Sequence, residues 1–265
     1  MIIILLTTLV IGIVGYVVGV GLVYTGEKFH VDVDEKELAV RECLPGNNCG
    51  ACGFAGCDAL AAAIAKGEAA VNACPVGGKP VAERIGGIMG RSADAMVRRV
   101  AFVRCKGTCD VTRNQGNYVG IHDCRSAALA GLNLTDCAYG CLGFGSCAAV
   151  CPENAIRVIN GVAVVNEALC VACGLCVKAC PKNLIELVPA DRRVRVQCSN
   201  RDRGPLVKKV CSAGCIGCTL CTRQCESDAI HMEGNLARVN YASCTECGKC
   251  AEKCPAKVIT PPPAR

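Results

Sequence analysis

The cysteines of this chain recur at fixed short spacings, and this pattern limits what the chain can fold into more than any other feature. There are 26 cysteines in 265 residues, against three histidines, and aromatic residues make up only 3%. Small domains without enough apolar material for a core depend on a disulfide or metal staple. Because two other residues separate many neighbouring cysteines, the pattern predicts thiolates around a shared inorganic group rather than disulfides.

Two cysteine runs match the spacing found in bacterial ferredoxins. Residues 170–181 and 244–255 each read C-x2-C-x2-C-x3-C-P. In proteins with this run, three cysteines bind one 4Fe–4S cluster and the fourth, before the proline, binds a second cluster. Zinc sites instead combine two separate CxxC pairs into one tetrahedron. The two runs therefore indicate 4Fe–4S clusters.

Two further runs precede these and depart from the same pattern. Residues 215–225 keep all four cysteines, but Glu226 replaces the proline. In residues 141–151, Phe144 occupies the position of the middle cysteine. We expect Cys137, just upstream, to supply the missing thiolate of that group.

The cysteines also reveal an internal duplication. An offset of 74 residues pairs nine cysteines with nine others, for example Cys170 with Cys244 and Cys124 with Cys198. Between the two runs of each copy lies a strand–turn–strand pattern, and a short helical turn is expected after each cluster loop. Each copy is therefore predicted to be an α+β module that holds two clusters.

The crossed-ligand arrangement of such modules predicts four clusters. The predicted ligand groups are Cys151 with Cys170, Cys173 and Cys176; Cys180 with Cys137, Cys141 and Cys147; Cys254 with Cys215, Cys218 and Cys221; and Cys225 with Cys244, Cys247 and Cys250.

A different motif lies nearer the N-terminus. It reads Cys49-x2-Cys52-x4-Cys57-x16-Cys74-Pro75, with an alanine-rich helix expected over residues 58–66. Four cysteines at this spacing could hold a 4Fe–4S cluster or a structural zinc ion. We expect a cluster here, which makes five in all.

Six cysteines fall outside these groups. Cys43 is interpreted as a free thiol. The others could form a sixth cluster or remain buried free thiols, and the sequence leaves both interpretations open. These five are Cys105, Cys109, Cys124, Cys198 and Cys211.

The first part of the chain is strongly apolar. Residues 2–24 form a run of 23 positions without a charge. A helix of that length spans roughly 35 Å, against about 30 Å for a hydrocarbon core. Since a basic start and an A-x-A cleavage site are both missing, the run predicts a retained single-pass membrane anchor rather than a signal peptide. The cysteine domains are expected on the cytoplasmic side, where thiols stay reduced. The run contains no charged residue that would identify a transported ion.

Charge and motif content exclude several function classes. The net charge of +6 can offset anionic clusters, and no basic stretch interleaved with aromatics suggests nucleic-acid binding. Residues 191–210 contain seven basic and two acidic residues, a local excess of five positive charges, interpreted either as a docking site for an acidic ferredoxin or as a solvated face. Neither a dinucleotide fingerprint nor a phosphate-binding loop is recognisable, so the sequence predicts no NAD or flavin site, no catalytic residue and no independent substrate site.

The order of motifs resembles a known family. An apolar N-terminal segment is followed by LPGNNCGACG at residues 44–53, by Gly56-Cys57, by YGCLG at 139–143, and by ferredoxin modules. This combination is similar to the B subunit of the Rnf complex in its longer form. The resemblance implies an electron-transfer subunit of an ion-pumping ferredoxin:NAD oxidoreductase, which takes electrons from reduced ferredoxin while NAD and flavin reside on other subunits. The other subunits of the complex, ferredoxin and membrane lipid are its implied partners.

The predicted fold class is thus α+β, with a transmembrane helix, a small cluster-stapled domain and tandem two-cluster ferredoxin-like modules. The predicted divisions are an anchor at 1–26, an N-terminal 4Fe–4S domain at 27–90, a connecting segment at 91–136, a first module at 137–190, a basic linker at 191–210 and a second module at 211–265. Two other functions are kept as alternatives. One is an electron-transfer subunit of another membrane-bound anaerobic oxidoreductase or hydrogenase, and the other is a zinc or scaffold protein without redox activity.

Overall fold

A computed structural model of the chain describes residues 2–28, 34–92, 97–113, 118–131 and 135–262. The first element is a long helix, α1 (Ile2–Lys28), whose apolar side chains are exposed wherever they are described. Among the residues that the structure describes, no helix is both long enough and apolar enough to cross a membrane.

Three helices build the N-terminal domain. They are α2 (Glu35–Cys43), α3 (Cys57–Ala65) and α4 (Gly78–Met89). Asp34 caps α2 by accepting a hydrogen bond of 3.0 Å from the backbone N–H of Lys36. The three helices bury a small aliphatic core that includes Leu60, Ile64 and Ile85. The helix predicted over residues 58–66 is confirmed as α3, one residue earlier at each end.

The rest of the described chain consists of short strands and short helices. Its elements are β1 (Arg99–Val103), α5 (Cys124–Leu129), α6 (Ser146–Ala149), β2 (Ile156–Ile159), β3 (Val162–Val165), α7 (Leu175–Ala179), β4 (Ile185–Pro189), α8 (Gly204–Val210), α9 (Leu220–Arg223), β5 (Ile230–Glu233), β6 (Leu236–Val239) and α10 (Lys249–Glu252).

Each copy of the repeat folds around one β-hairpin, as the strand–turn–strand pattern predicted. In the first copy β2 pairs with β3, and in the second β5 pairs with β6, both antiparallel. The turn of the first hairpin is Asn160-Gly161, and both residues have positive φ. The predicted helical turns after the cluster loops are confirmed as α7 and α10.

Each copy also pairs with an extended segment that precedes it, a strand in the first copy and an isolated bridge in the second. In the first copy β1 pairs with β4, so that Val103 lies opposite Ile185. In the second copy Val196 bridges Ile259, which is the repeat mate of Ile185. Val103 and Val196 are therefore structural equivalents. Their separation is 196 − 103 = 93 residues, which exceeds the repeat offset by 93 − 74 = 19, so the first copy contains about 19 additional residues after this strand.

Candidate metal centres

A four-iron cluster needs four thiolates around a cavity, whereas a single metal ion needs ligands that meet at one point. Among the described residues, no group of three or more His, Cys, Asp or Glu side chains is arranged to hold a single metal ion. Disulfides are also absent among the cysteines described, all 26 of which carry free thiols. The thiols instead line several separate cavities, and each cavity can be compared with the ligand groups predicted above.

One cavity in the first module matches a predicted group. It is lined by Cys151 from the turn after α6, by Cys170 and Cys173 from the loop before α7, and by Cys176 in the first turn of α7. The pKa of Cys176 is raised to about 11, first by burial and then by the other three thiols. The backbone N–H of Ala155 donates a hydrogen bond of 3.3 Å to the Sγ of Cys151. The structure therefore brings this predicted group together.

A second cavity in the first module is lined by three predicted cysteines and one unexpected one. Cys141, Cys147 and Cys180 meet Cys124, rather than Cys137, around this cavity. Burial raises the pKa of Cys147 to about 12, and the thiols of Cys141, Cys124 and Cys180 add to the rise. Cys124, the first residue of α5, thus stands beside the predicted group that lacks a fourth cysteine.

Local hydrogen bonds hold Cys124 in this position. Its backbone N–H donates to the Oγ of Ser146 over 2.8 Å, and that hydroxyl donates to Oδ1 of Asp123 over 2.7 Å. Asp123 caps α5, since its Oδ2 accepts the N–H of Ser126 at 2.9 Å. These hydrogen bonds lower the pKa of Asp123. The start of α5 is thereby tied to the start of α6, which carries Cys147.

In the second module, the thiols that affect one another belong to the same predicted groups. Burial raises the pKa of Cys221 to about 11, and Cys215, Cys218 and Cys254 add to the rise. In the other group, the pKa of Cys250 is raised to about 12 by burial and then by Cys244 and Cys247. Cys225 lies near Cys244 and contributes to the raised pKa of that thiol, after burial and Glu246. Cys218 and Cys247 are exposed, unlike the other cysteines of these groups.

A further cavity lies between the two modules, at cysteines for which the sequence left two interpretations open. It is lined by four cysteines, namely Cys105, Cys137, Cys198 and Cys211. Burial raises the pKa of Cys105 to about 12 and that of Cys198 to about 11, and the thiol of Cys137 contributes in both cases. Three of these cysteines belonged to none of the five predicted groups. The fourth, Cys137, was expected to supply the thiolate that is missing at Phe144.

The two modules contribute to this cavity symmetrically. Cys105 and Cys198 each lie two residues after the equivalent strand residues Val103 and Val196, and Cys137 and Cys211 are repeat mates. The Sγ of Cys105 accepts the N–H of Gly107 at 3.4 Å, and that of Cys198 accepts the N–H of Asn200 at the same distance. The sequence contains a signal for this equivalence, because each cysteine ends a Val-x-Cys triplet whose valine pairs with the module.

Polar groups as well as thiols surround this cavity. Arg104 lines it, and the Nε and Nη1 atoms of its buried guanidinium have no hydrogen-bond partner among the described residues. Its Nη2 donates to the carbonyl of Asn183 over 2.8 Å, and its Nε lies 3.4 Å from a carboxylate oxygen of Glu186. Asn200 adds an amide donor 3.5 Å from the Sγ of Cys137. Four thiols and polar N–H donors together fit a 4Fe–4S cluster, whereas the charge of Arg104 is already paired with Glu186.

Three of the four cysteines of the N-terminal motif pack in or against the core of the N-terminal domain. Cys57 and Cys74 belong to the domain core, and Cys52 packs against it. Cys49 lies close enough to Cys173 of the first module to add to the rise in its pKa, which burial chiefly causes. Cys52 and Cys173 also line one open cavity of about 1030 Å³ between this domain and the first module.

Two cysteines stay outside these groups. Cys43 packs against the N-terminal core beside the motif cysteines. Cys109 is exposed, and its backbone N–H donates to the carbonyl of Asn160 at the first hairpin turn.

Three protein families match separate parts of the chain. The family described as "Putative Fe-S cluster" matches residues 44–76. The 4Fe-4S binding domain family matches residues 163–186, and the 4Fe-4S dicluster domain family matches residues 214–259. These matches cover the N-terminal motif, part of the first module and most of the second. They leave out all four cysteines of the cavity between the modules.

Curated relatives are similar over nearly the whole chain. The B subunit of the Na(+)-translocating ferredoxin:NAD(+) oxidoreductase complex of Acetobacterium woodii is 43% identical over 95% of this chain and 76% of its own length. The corresponding protein of the proton-translocating complex of Clostridium ljungdahlii is 41% identical over 97% of this chain and 92% of its own length. The B subunit of an ion-translocating oxidoreductase complex of Methanosarcina acetivorans is 39% identical over 92% and 93%. The resemblance found in the sequence is confirmed, and the chain belongs to the family of B subunits of the ion-translocating Rnf oxidoreductase complexes.

Proposed function

We propose that this chain accepts electrons from reduced ferredoxin and passes them to the membrane partners of an ion-translocating ferredoxin:NAD oxidoreductase. Family membership supports the reaction, because two of the relatives are named as subunits of such complexes. The observation that carries the proposal is the grouping of the cysteines into four-thiol sets along the chain. A protein with many such sets and no recognisable nicotinamide or flavin motif is suited to relay electrons rather than to transform a substrate.

We assign six 4Fe–4S clusters to the chain. Their proposed ligands are Cys49, Cys52, Cys57 and Cys74; Cys151, Cys170, Cys173 and Cys176; Cys124, Cys141, Cys147 and Cys180; Cys105, Cys137, Cys198 and Cys211; Cys215, Cys218, Cys221 and Cys254; and Cys225, Cys244, Cys247 and Cys250. When bound, these clusters supply one-electron redox chemistry. The chain holds most of these thiols in buried or half-buried positions, with Cys218 and Cys247 exposed, and directs backbone N–H groups at several of the sulfur atoms.

The spatial order of the domains supports a relay along the chain. The cavity with Cys105 and Cys198 lies between the two modules, and Cys52 and Cys173 face a common cavity between the first module and the N-terminal domain. We keep the proposed division into an anchor, an N-terminal domain and two modules. β1 and residues 194–197 are assigned to the first and second module respectively, because each of these segments completes a strand pair there.

We further propose that residues 2–24 anchor the chain in the membrane, with the cysteine domains on the cytoplasmic side. This part rests on the sequence, through its 23 uncharged positions, and on the exposure of apolar side chains such as Ile11 and Leu22 along α1. Extraction of membranes with alkaline carbonate tests the anchor. The full chain should stay in the pellet and a variant without residues 2–26 should not, and release of both would reject the anchor.

Anaerobic purification followed by iron and acid-labile sulfide analysis tests the cluster assignment. Six clusters correspond to about 24 iron atoms per chain, and EPR of the reduced protein should show interacting 4Fe–4S centres. Iron near zero with stoichiometric zinc would reject the proposal.

A further inference from the structure

The basic residues between the modules divide into two sets with different surroundings. Arg195 is 3% exposed, and its Nη1 lies 2.6 Å from one carboxylate oxygen of Glu167. Arg193 lies 2.6 Å from the other oxygen of the same carboxylate. Arg192 donates to the backbone carbonyl of Cys244 over 2.8 Å. These three arginines, which we call the inter-module clasp, join the two copies through contacts within the protein.

The second set lies further along the chain and is exposed. Its members are Arg201, Arg203, Lys208 and Lys209, which we call the basic patch. Among the described residues, no ion pair involves any of the four. The segment 199–210 has one acidic residue, Asp202, and therefore a local charge of +3. Leu206 is 52% exposed on the same segment and adds an apolar contact.

The segment that carries the basic patch joins two cysteines of the cavity between the modules. The segment begins after Cys198 and ends before Cys211, and both cysteines line that cavity. Inside the segment, Asn200 is 2% exposed and its side chain points at the Sγ of Cys137. Val207 is fully buried and packs closely against Gly214. The segment is therefore fixed to the four-cysteine site, so a protein that rests on the basic patch also lies close to these thiols.

We propose that the basic patch is the docking surface for reduced ferredoxin, which we take to be a small acidic electron carrier. This inference rests on the proposed function, because it names the surface through which that function receives electrons. Opposite charges on two proteins raise their association rate and make it fall as salt is added. The position of the basic patch between two cysteines of one site favours an electron-carrying protein over anionic lipid, since a lipid gains nothing from proximity to these thiols.

The experiment compares two charge reversals in the full-length, cluster-loaded chain. The test variant is Lys208→Glu with Lys209→Glu. The control is Lys66→Glu with Arg84→Glu, which makes the same charge change at two exposed positions of the N-terminal domain. Stopped-flow reduction by reduced ferredoxin is followed over a salt series, and binding of oxidised ferredoxin is measured separately by biolayer interferometry. Iron content and reduction by dithionite report whether each variant remains intact.

The test variant should be reduced by ferredoxin about tenfold more slowly at low salt, with a flatter salt dependence and weaker binding. The control variant should behave like the unmodified chain, and dithionite should reduce all three equally. If ferredoxin reduces the unmodified chain and the test variant at the same rate across the salt series, the docking surface is wrong and the proposed function stands. If ferredoxin does not reduce the unmodified chain, the proposed function itself fails. If the test variant no longer binds phosphatidylserine vesicles but still binds ferredoxin normally, the basic patch is a lipid site and the proposal is overturned.

Discussion

The two modules have the same hairpin and the same cysteine spacing, but they complete one of their four-cysteine groups in different ways. In the second module Cys218 stands inside the run and lies beside Cys221. In the first module the repeat mate of Cys218 is Phe144, and Cys124 arrives at the cavity from α5. Each module thus places a fourth thiol beside this group of three, but the fourth thiol comes from a different place in the sequence.

Phe144 also contacts the part of the chain that carries Cys124. The ring of Phe144 lies 5.1 Å from that of Tyr118 and 5.3 Å from that of His122, both in the additional segment of the first module. Phe144 also packs against a small buried cluster that contains Cys124 and Leu142. An aromatic side chain at this position therefore anchors the segment that delivers the fourth thiol.

The comparison also shows that sequence offset and structural equivalence differ at one pair of cysteines. The offset of 74 makes Cys198 the mate of Cys124. The strand register makes Cys198 the equivalent of Cys105, and the cavity that these two share contains no Cys124. The two interpretations predict different iron contents for double variants.

Paired cysteine replacements give the largest expected effect. Cys105→Ser with Cys198→Ser should remove one cluster, about four of about 24 iron atoms, because both residues belong to one site. Cys124→Ser with Cys198→Ser should remove two clusters, about eight iron atoms, and destabilise the first module, since metal binding supports folding in small stapled domains. Anaerobic iron analysis measures both, with Cys43→Ser as a control that should lose no iron. Equal losses from the two double variants would show that the strand register misassigns Cys198.

A restored ligand should reverse the effect of one replacement. Cys124→Ser alone should lose about four iron atoms. Adding Phe144→Cys to that variant rebuilds the run found in the second module and should return the lost iron. Phe144→Ala in the same background is the matched control, because it removes the ring without adding a thiol. If iron does not return with Phe144→Cys, the two modules differ by more than the source of one ligand.

The inter-module clasp offers a test of how the copies depend on each other. Glu167→Gln leaves the buried guanidinium of Arg195 without a carboxylate, and removing one partner of a buried ion pair weakens a fold by about 3 kcal/mol. We expect a lower apparent melting temperature in anaerobic scanning calorimetry, with iron content unchanged at room temperature. Glu226→Gln is the control, because its pair with Lys249 is exposed and contributes little. An unchanged melting temperature for Glu167→Gln would mean that the modules do not rely on this contact.

Sequence reasoning found the features that depend on local spacing and missed those that depend on long-range contacts. The hairpins, the helix after Cys57 and the repeat follow from residue periodicity over a few positions. The approach of Cys124 to Cys141 does not, because it requires α5 to fold back over Phe144. The burial of Arg195 could not be predicted either, because a count of charged residues does not distinguish an ion pair inside the protein from a solvated side chain.

The smallest effect concerns the hydrogen bonds that position Cys124. Ser146→Ala removes the acceptor of the Cys124 N–H, and a hydrogen bond of this kind contributes about 1 kcal/mol. The iron content should stay the same, but the cluster of this site should be lost faster to an iron chelator under anaerobic conditions. The second copy has no such hydroxyl, because Leu220 is the repeat mate of Ser146 and Cys218 needs no support from a separate helix. Leu220→Ala is therefore the matched control and should leave chelation rates unchanged. If the Ser146 and Leu220 variants release iron at the same rate, the hydroxyl does not position Cys124, and the packing of Phe144 alone would hold α5 in place.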